Sequence, residues 1–493
     1  MKFELKTTFK EVFLTFLTEA IVLVAFLFIY RLIAKQFGPE GLGEYSLVKR
    51  VIGFFLPLLM LGIWVGVPRY VAMTKNQAER SSYLKAGWLV VTTFTFIFLI
   101  FVNSFKEYFA KIFFGNISYV DLIMPFSFFL AGSILHTFNY AYLRGKLLVK
   151  IFNSLQIINL SLAPLAILLL FQNITIDKLI GLIGIATFGI ALFSSLFFIK
   201  DFLSNVSKEQ FKESFKKLIY YSFPRFPSNF AMAGLMSLGA IFAAHFTSIE
   251  EVGYLSVSQQ LLGAAGIVLA PLGVILLPKI SNLISQEREE IVRENVNFII
   301  VTILYCFIFV SAQSLIFTDV VIEYWLGQEF ISALPIMRIV FFSLVFYAFF
   351  SVMANILDAI KIKPLNTINI FISLGAFLLM TGILFLFNFS SPIISLSIAF
   401  AIGMICLGTL TYFSIRKIYP ENPLKDINHL LVAVGINILL GGVAIFVKNF
   451  IISRFYYLIL FEVLLFLIYL LILWLLKIDW IRKLPQKIMF NTN

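Results

Sequence analysis

The chain has 493 residues, of which 60% are hydrophobic and only 13% charged, and its mean hydropathy is +0.97. These values exclude an ordinary soluble domain, in which about 25% of residues are usually charged. The formal net charge of +12 does not indicate a nucleic-acid partner, because the basic residues stand in short loops between long apolar stretches. Such loops are typical of topology signals that face an anionic membrane leaflet.

The apolar stretches run for about 20 residues or longer, which suits helices that span a bilayer and not the shorter alternating strands of a barrel. We predict an all-α integral membrane protein with about 14 transmembrane helices. They are expected near residues 11–35, 46–73, 83–105, 119–143, 151–171, 178–200, 217–246, 254–280, 295–317, 331–358, 364–388, 391–416, 428–448 and 455–477.

An even number of helices places both termini on one side of the membrane. Of the 38 Lys and Arg residues, 26 then fall on the side of the termini, eight fall on the opposite side, and four arginines lie within spans. Lys49 and Arg50 are counted among the eight. By the positive-inside rule this distribution predicts a multi-pass protein of the cell membrane with cytoplasmic termini.

A loose repeat divides the chain into two halves. The pairs Gly43/Gly253, Ser46/Ser256 and Pro68/Pro278 are each 210 residues apart. We therefore predict an N-lobe of six helices at 1–200, a cytoplasmic linker at 201–216, a C-lobe of six helices at 217–416, and two extra helices with a basic cytoplasmic tail at 417–493. Two lobes of the same orientation are expected to be related by a pseudo-twofold axis along the membrane normal.

Charged residues inside spans are costly and mark functional positions by default. Arg69 follows Pro68, and Lys279 follows Pro278 at the matching point of the second half. These two cations could line a cavity between the lobes or could extend to the cytoplasmic surface. Arg225 lies between two prolines at the start of the seventh helix and is a further candidate for the cavity.

The other polar residues within spans that could belong to a functional site also have alternative structural roles. Glu19 in the first helix is a candidate proton or cation site, or it neutralises a nearby arginine. Asn139 and Asn229 are candidate substrate contacts, although polar residues in spans more often join helices to one another.

No sequence pattern favours an enzyme. There is no phosphate loop, dinucleotide-binding glycine motif, Cys/His ligand spacing or nucleophile elbow. Cys306 and Cys406 both fall in apolar runs, where burial is the usual role. We expect no cofactor, no metal site and no catalytic residue.

Four segments carry a resemblance to a known family: helix one, the break Gly41-Leu-Gly-Glu-Tyr-Ser, the run from Leu61-Gly-Ile to Pro68-Arg-Tyr-Val-Ala, and the repeated motif Ser248-Ile-Glu-Glu-Val-Gly-Tyr. They resemble polysaccharide flippases of the multidrug/oligosaccharidyl-lipid/polysaccharide superfamily. The resemblance covers the first twelve helices, and helices thirteen and fourteen suit its fourteen-helix members. One departure is the stretch Met236-Ser-Leu-Gly-Ala-Ile-Phe, where members often carry an Asp; this puts cation coupling by that helix in doubt.

The resemblance implies a flippase that moves a lipid-linked oligosaccharide across the cytoplasmic membrane by alternating access of a central cavity, which opens laterally between the first and eighth helices. Cations suit such a cargo, because charge-assisted contacts to phosphate oxygens contribute about 1.5 to 3 kcal/mol each. The expected partners are this substrate, membrane lipids and glycan-assembly enzymes, with a monomer as the expected state. The alternative is a cation-coupled multidrug or small-molecule exporter of the same superfamily. Two further hypotheses are a membrane-embedded glycosyltransferase and a scaffold for sugar-polymer assembly that does not itself transport.

Overall fold

Helices form every regular element in the part of the chain that the computed structural model describes, which is residues 5–74, 76–360, 364–419, 427–451 and 455–476. The helices are α1 (Leu5–Met60), α2 (Ile63–Met73), α3 (Gln77–Ser104), α4 (Lys106–Phe114), α5 (Ile123–Gly145), α6 (Val149–Ile157), α7 (Ala163–Leu170), α8 (Ile176–Ser194), α9 (Ile199–Leu203), α10 (Lys208–Ser222), α11 (Phe226–Phe246), α12 (Ile249–Ser285), α13 (Glu289–Ile316), α14 (Thr318–Trp325), α15 (Leu334–Phe342), α16 (Leu344–Ile360), α17 (Leu365–Leu386), α18 (Pro392–Ile418), α19 (Ile427–Ile451) and α20 (Phe455–Leu475). Short 3₁₀ and π segments join several of them.

The described helices confirm the prediction of an all-α membrane protein. They form twelve candidate spans that are long and apolar enough to cross a bilayer, several of which join two or more of these helices, or thirteen when the bent pair Gln328–Phe342 and Leu344–Asp358 counts as one span. The longest, α1, is interrupted at Gly38, where φ is 64° and ψ is −168°. Glycine adopts this left-handed conformation without a Cβ clash, and Pro39 then begins the second segment. With α1 divided in this way, the span count is compatible with the predicted number of about 14.

The chain divides into two compact units. The first comprises residues 1–257 with 391–396, and the second comprises residues 258–390 with 397–493. The predicted boundary at 201–216 does not coincide with this division, because α10 and α11 belong to the first unit. The division of the sequence into repeated lobes stays a prediction.

Much of the predicted linker is helical. Ser207 caps α10, since its side chain accepts a hydrogen bond from Gln210 N at 3.2 Å. The helix packs against α3, where Ser82 Oγ donates to Gln210 O at 3.0 Å. The segment that the sequence indicated as a polar connection is therefore part of the first unit's helical packing.

Two glycines of the sequence repeat meet in the first unit. A Cβ at Gly43 would lie 2.0 Å from Ile249 O, and a Cβ at Gly253 would lie 2.9 Å from Gly43 Cα. Any side chain at either position would force the helices apart. The second segment of α1 and the first turns of α12 thus make direct backbone contact at equivalent positions of the repeat.

The second unit has two apolar cores that share α13. In one core, Val296 and Ile300 of α13 pack with Met353 of α16. In the other, Phe309 of α13 packs with Tyr469 of α20. The two final helices, which lie outside the predicted repeat, are therefore anchored on α13.

Candidate functional site

Arg69 and Arg225 both contact one aromatic ring, that of Tyr221, in the first unit. The Arg69 Cζ atom is 4.2 Å from the ring centroid of Tyr221, and the Arg225 Cζ atom is 3.6 Å from it. Each guanidinium is attracted by the negative face of the ring. The structure thus brings together two of the cations that the sequence suggested for a shared site.

The prolines of this segment shape the local backbone. Phe223–Arg225 form a 3₁₀ turn between α10 and α11, and Pro224 and Pro227 cannot donate the backbone hydrogen bonds of a continuous α-helix. Arg225 Nη1 donates to Tyr221 O at 2.7 Å, which holds the guanidinium beside the turn. One turn further, Asn229 Nδ2 donates to Arg225 O at 3.1 Å. Asn229 is half-buried and stands beside Arg225, and its role as a substrate contact stays a prediction.

A row of tyrosines continues from this pair. Tyr70 meets the Tyr221 ring edge-on at a centroid distance of 5.7 Å and stacks on Tyr83 at 4.8 Å. We call Arg69, Arg225, Tyr70, Tyr83 and Tyr221 the arginine–tyrosine cluster. Tyr83 is buried, and the Tyr221 ring contacts both guanidinium groups, so these rings hold the two arginines in place.

The cluster is cationic and open. Both arginines are exposed, and in the described part of the chain no carboxylate lies within 4.0 Å of either guanidinium. A guanidinium presents five donors in a planar fork that matches phosphate and carboxylate oxygens. The arrangement can bind an anion such as a phosphate or pyrophosphate.

Two predicted residues are placed elsewhere. Asn139 is fully buried in α5, and its Nδ2 lies 2.6 Å from Ala191 O, 2.8 Å from Ser194 Oγ and 3.0 Å from Ser195 Oγ. These are the contacts of a residue that joins α5 to α8, the alternative raised from the sequence. Lys279 belongs to α12, but its side chain lies outside the described residues.

Glu19 belongs to a chain of polar contacts within the helices of the first unit. Gln156 Nε2 donates to Glu19 Oε1 at 3.4 Å, and Gln156 Oε1 lies 3.1 Å from His136 Nε2. Asn159 Nδ2 lies 3.0 Å from His136 Nδ1 and 3.3 Å from Thr187 O. An amide nitrogen can only donate, so His136 accepts at Nδ1 and donates from Nε2 to Gln156. The donors then run in one direction and end on the Glu19 carboxylate.

Sequence reasoning missed Tyr221 and Tyr70. Tyr221 precedes Arg225 by four residues, the spacing at which helical side chains meet, and Tyr70 directly follows Arg69. The first of these signals could have been used. The packing of α2 against α10, which brings Arg69 to Tyr221, has no local sequence signal.

The sequence placed Lys49 and Arg50 at the start of the second predicted helix, on the side of the membrane opposite the termini, and both lie well inside the second segment of α1. Arg50 is 7% exposed and donates from Nη1 to Met236 O at 3.1 Å and from Nη2 to Ser256 O at 2.5 Å. Lys49 Nζ lies 5.1 Å from the ring centroid of Phe129. Arg50 thus links α1 to α11 and α12. Its partner Met236 begins the stretch of α11 in which members of the resembling family often carry an Asp.

The helical architecture and the exposed cationic cluster define a polytopic membrane protein with a fold found in transporters. Among solved structures, "Lipid II flippase MurJ, inward closed conformation" superposes with a TM-score of 0.73 at 16% identity, over 94% of this chain and 98% of that one. A multidrug resistance MATE family transporter of the MOP superfamily, in an inward-facing conformation, has a TM-score of 0.67 at 14% identity, over 83% of this chain and 98% of that one.

At the level of sequence the similarity is lower. A stretch of 308 residues is 21% identical to the "Putative O-antigen transporter" of Shigella flexneri, covering 60% of this chain and 72% of that protein. No protein-family model matches the chain. The comparisons confirm the predicted resemblance for the fold, and the names of these proteins describe transport and flipping rather than catalysis.

Proposed function

We propose that this protein is a flippase that moves a lipid-linked oligosaccharide across the cytoplasmic membrane, and that the arginine–tyrosine cluster binds the phosphate or pyrophosphate of that cargo. The observation that supports it most is the pairing of Arg69 and Arg225 over Tyr221 without a carboxylate partner in the described residues. Two cations held together repel each other, and an anionic ligand relieves that repulsion. Similarity to proteins named as a lipid II flippase and an O-antigen transporter agrees with such a cargo.

In the proposed mechanism the cargo's phosphate oxygens accept hydrogen bonds from the guanidinium groups of Arg69 and Arg225. The lipid tail stays in the bilayer, which requires a lateral opening, and alternating access carries the head group across. The direct link from Arg50 to Met236 and Ser256 would close one side of the path in the conformation described here. With cytoplasmic termini, as the basic residues predict, that closed side is the outer one. Under this proposal the protein works in the cell membrane as a monomer, alongside glycan-assembly enzymes.

A second candidate function is a cation-coupled exporter of small molecules. The observation that favours it is the directed series of donors that ends on Glu19, a carboxylate in the first membrane span. Such a site suits a proton or a metal cation whose binding alternates with that of cargo.

Complementation of a flippase-deficient strain tests the proposal, with surface polysaccharide as the readout. Arg69→Ala and Arg225→Ala should each abolish complementation, because each removes charge-assisted contacts of about 1.5 to 3 kcal/mol, a loss of about ten- to hundredfold in affinity. Lys212→Ala is the matched control, since Lys212 is an exposed cation of α10 outside the cluster.

Full polysaccharide display by both arginine variants, at wild-type protein levels, would refute the anion site. Resistance to cationic drugs that is conferred by the wild type and removed by Glu19→Gln would favour the exporter instead. These outcomes separate the two proposed functions. The flippase proposal expects the two arginine variants to lose polysaccharide export and expects Glu19→Gln to keep it.

A further inference from the structure

Each unit has an apolar groove on its membrane-spanning helices. The first groove, of about 460 Å³, is bounded by α3, α5 and α8 with the start of α9, and the second, of about 300 Å³, by α13, α16 and α18. Both volumes fall within the range of about 300 to 1,000 Å³ that is usual for small-molecule sites. The linings are almost entirely hydrocarbon, so neither groove suits a sugar or a phosphate.

The two grooves occupy equivalent places in the sequence repeat. Lining residues recur at the same spacing of 210 that separates the paired glycines and prolines, as in Leu135 and Val345, Ile199 and Thr409, and Phe202 and Tyr412. A groove that arose only from irregular packing of side chains would not be expected at matched positions of both halves. The recurrence indicates that the groove is a feature of the repeated unit.

Each groove has one end that is predicted to lie towards the cytoplasm, and at that end both grooves have an aromatic ring beside a basic residue. Trp88 lines the first groove at an edge-on distance of 5.3 Å from Phe202, and Lys85 stands one helical turn before it. In the second groove, Arg416 Cζ lies 5.2 Å from the ring centroid of Tyr412. Amphipathic aromatics with adjacent bases are typical of the level of lipid head groups, where a base attracts an anionic lipid.

We infer that the two grooves are binding sites for acyl chains of anionic phospholipids of the cytoplasmic leaflet, one site in each unit and separate from the cargo site. The lining supplies the apolar contact for a chain, and the adjacent base supplies charge complementarity for the head group. Acyl chains of the bilayer suit a hydrocarbon groove on membrane-spanning helices, and the basic residues attract the anionic lipids among them. The inference does not depend on the identity of the transported molecule.

Tryptophan quenching in vesicles tests the first groove. The full-length protein keeps Trp88, its other four tryptophans become phenylalanine, and it is placed in phosphatidylcholine vesicles with a minor fraction of brominated phosphatidylglycerol. The matched reference carries Trp88→Phe and Leu89→Trp, because Leu89 is the exposed neighbour on the same helix and does not line the groove. We expect the fluorescence of Trp88 to be quenched as strongly as it would be by lipid enriched about fivefold in phosphatidylglycerol. The reference tryptophan at position 89 should be quenched in proportion to the bulk fraction of phosphatidylglycerol in the vesicles.

Filling the groove should remove the enrichment. Ala131→Phe puts a ring into the lining of the first groove, whereas Met124→Phe adds the same ring at an exposed position of α5 outside it. Native mass spectrometry of the protein with all its tryptophans gives a second readout: Ala131→Phe should retain less phosphatidylglycerol than wild type, and Met124→Phe should retain the same amount.

Equal quenching at positions 88 and 89, or equal lipid retention by Ala131→Phe and wild type, would overturn the inference. Stronger quenching by a brominated polyprenyl phosphate than by phosphatidylglycerol at equal mole fraction would also overturn it, because the occupant would then be the tail of a cargo lipid.

Discussion

Under the proposed mechanism, replacing Arg50 by lysine should loosen the side of the transport path that the Arg50 hydrogen bonds close. The guanidinium spans two carbonyl oxygens, Met236 O at 3.1 Å and Ser256 O at 2.5 Å, and it is only 7% exposed. A lysine ammonium is a compact point charge that cannot reproduce this fork. The substitution therefore keeps the charge but loses at least one charge-assisted hydrogen bond, a contribution of about 1.5 to 3 kcal/mol. A loss of about 2 kcal/mol shifts a two-state equilibrium about 30-fold towards opening.

Thiol labelling measures this shift. Ser46→Cys is introduced into a protein whose Cys306 and Cys406 are replaced by alanine, because Ser46 is 1% exposed in the segment of α1 that Arg50 holds. A membrane-impermeant maleimide added from outside should label Ser46→Cys at least tenfold faster when Arg50→Lys is also present.

Ser373→Cys, buried in the second unit, is the control and should label at an unchanged rate. If Arg50→Lys leaves the labelling of Ser46→Cys unchanged while the protein remains folded, the two hydrogen bonds do not hold this side closed.

Three further substitutions have defined outcomes. Asp201→Asn should lower the free energy of unfolding by about 3 kcal/mol, seen as a lower Tm in detergent, because Asp201 Oδ2 is buried between Lys146 Nζ at 2.6 Å and Tyr142 OH at 2.8 Å; an unchanged Tm would contradict this. Gly43→Val should also speed maleimide labelling of Ser46→Cys, since its Cβ would lie 2.0 Å from a backbone oxygen, and Gly375→Val, where a Cβ meets nothing within 4 Å, should not. Tyr221→Leu should weaken binding of a lipid pyrophosphate by about fivefold in a fluorescence titration, through loss of about 1 kcal/mol of cation–π contact, whereas Tyr221→Phe should bind like wild type; equal binding by all three would refute a role for the ring.

Hydropathy alone predicted an integral membrane protein made of helices and the approximate positions of its spans, because every span must be long enough and apolar enough to cross the bilayer. The break between the first two predicted helices was predictable in part, since a glycine followed by a proline interrupts a helix. The interruption is confined to Gly38, and residues 39–45, which were predicted to lie between the helices, are helical. The span boundaries near Lys49 and Arg50 were not predictable. A buried arginine satisfied by carbonyls of other helices has the same local sequence as an arginine in a loop, and only the tertiary contacts distinguish the two.

The candidate site was predictable in part. Arg69 and Arg225 stood out because cations in spans need a partner or water. Their meeting point, Tyr221, depends on the packing of α2 against α10, and α10 begins inside a polar stretch that the sequence indicated as a linker. For Asn139 the sequence left two roles open, because an asparagine in a span has the same local sequence whether it contacts a ligand or, as here, joins two helices.

Transport in a purified system tests the central proposal most directly. The protein is reconstituted into vesicles with a fluorescent lipid-linked oligosaccharide, and the fraction of cargo that becomes accessible on the opposite leaflet is measured over time. We expect wild type and Lys212→Ala to move the cargo and the double variant Arg69→Ala, Arg225→Ala to move none above protein-free vesicles. Undiminished flux in the double variant, or no flux with folded wild type, would contradict the assignment of this cluster to a lipid-linked oligosaccharide.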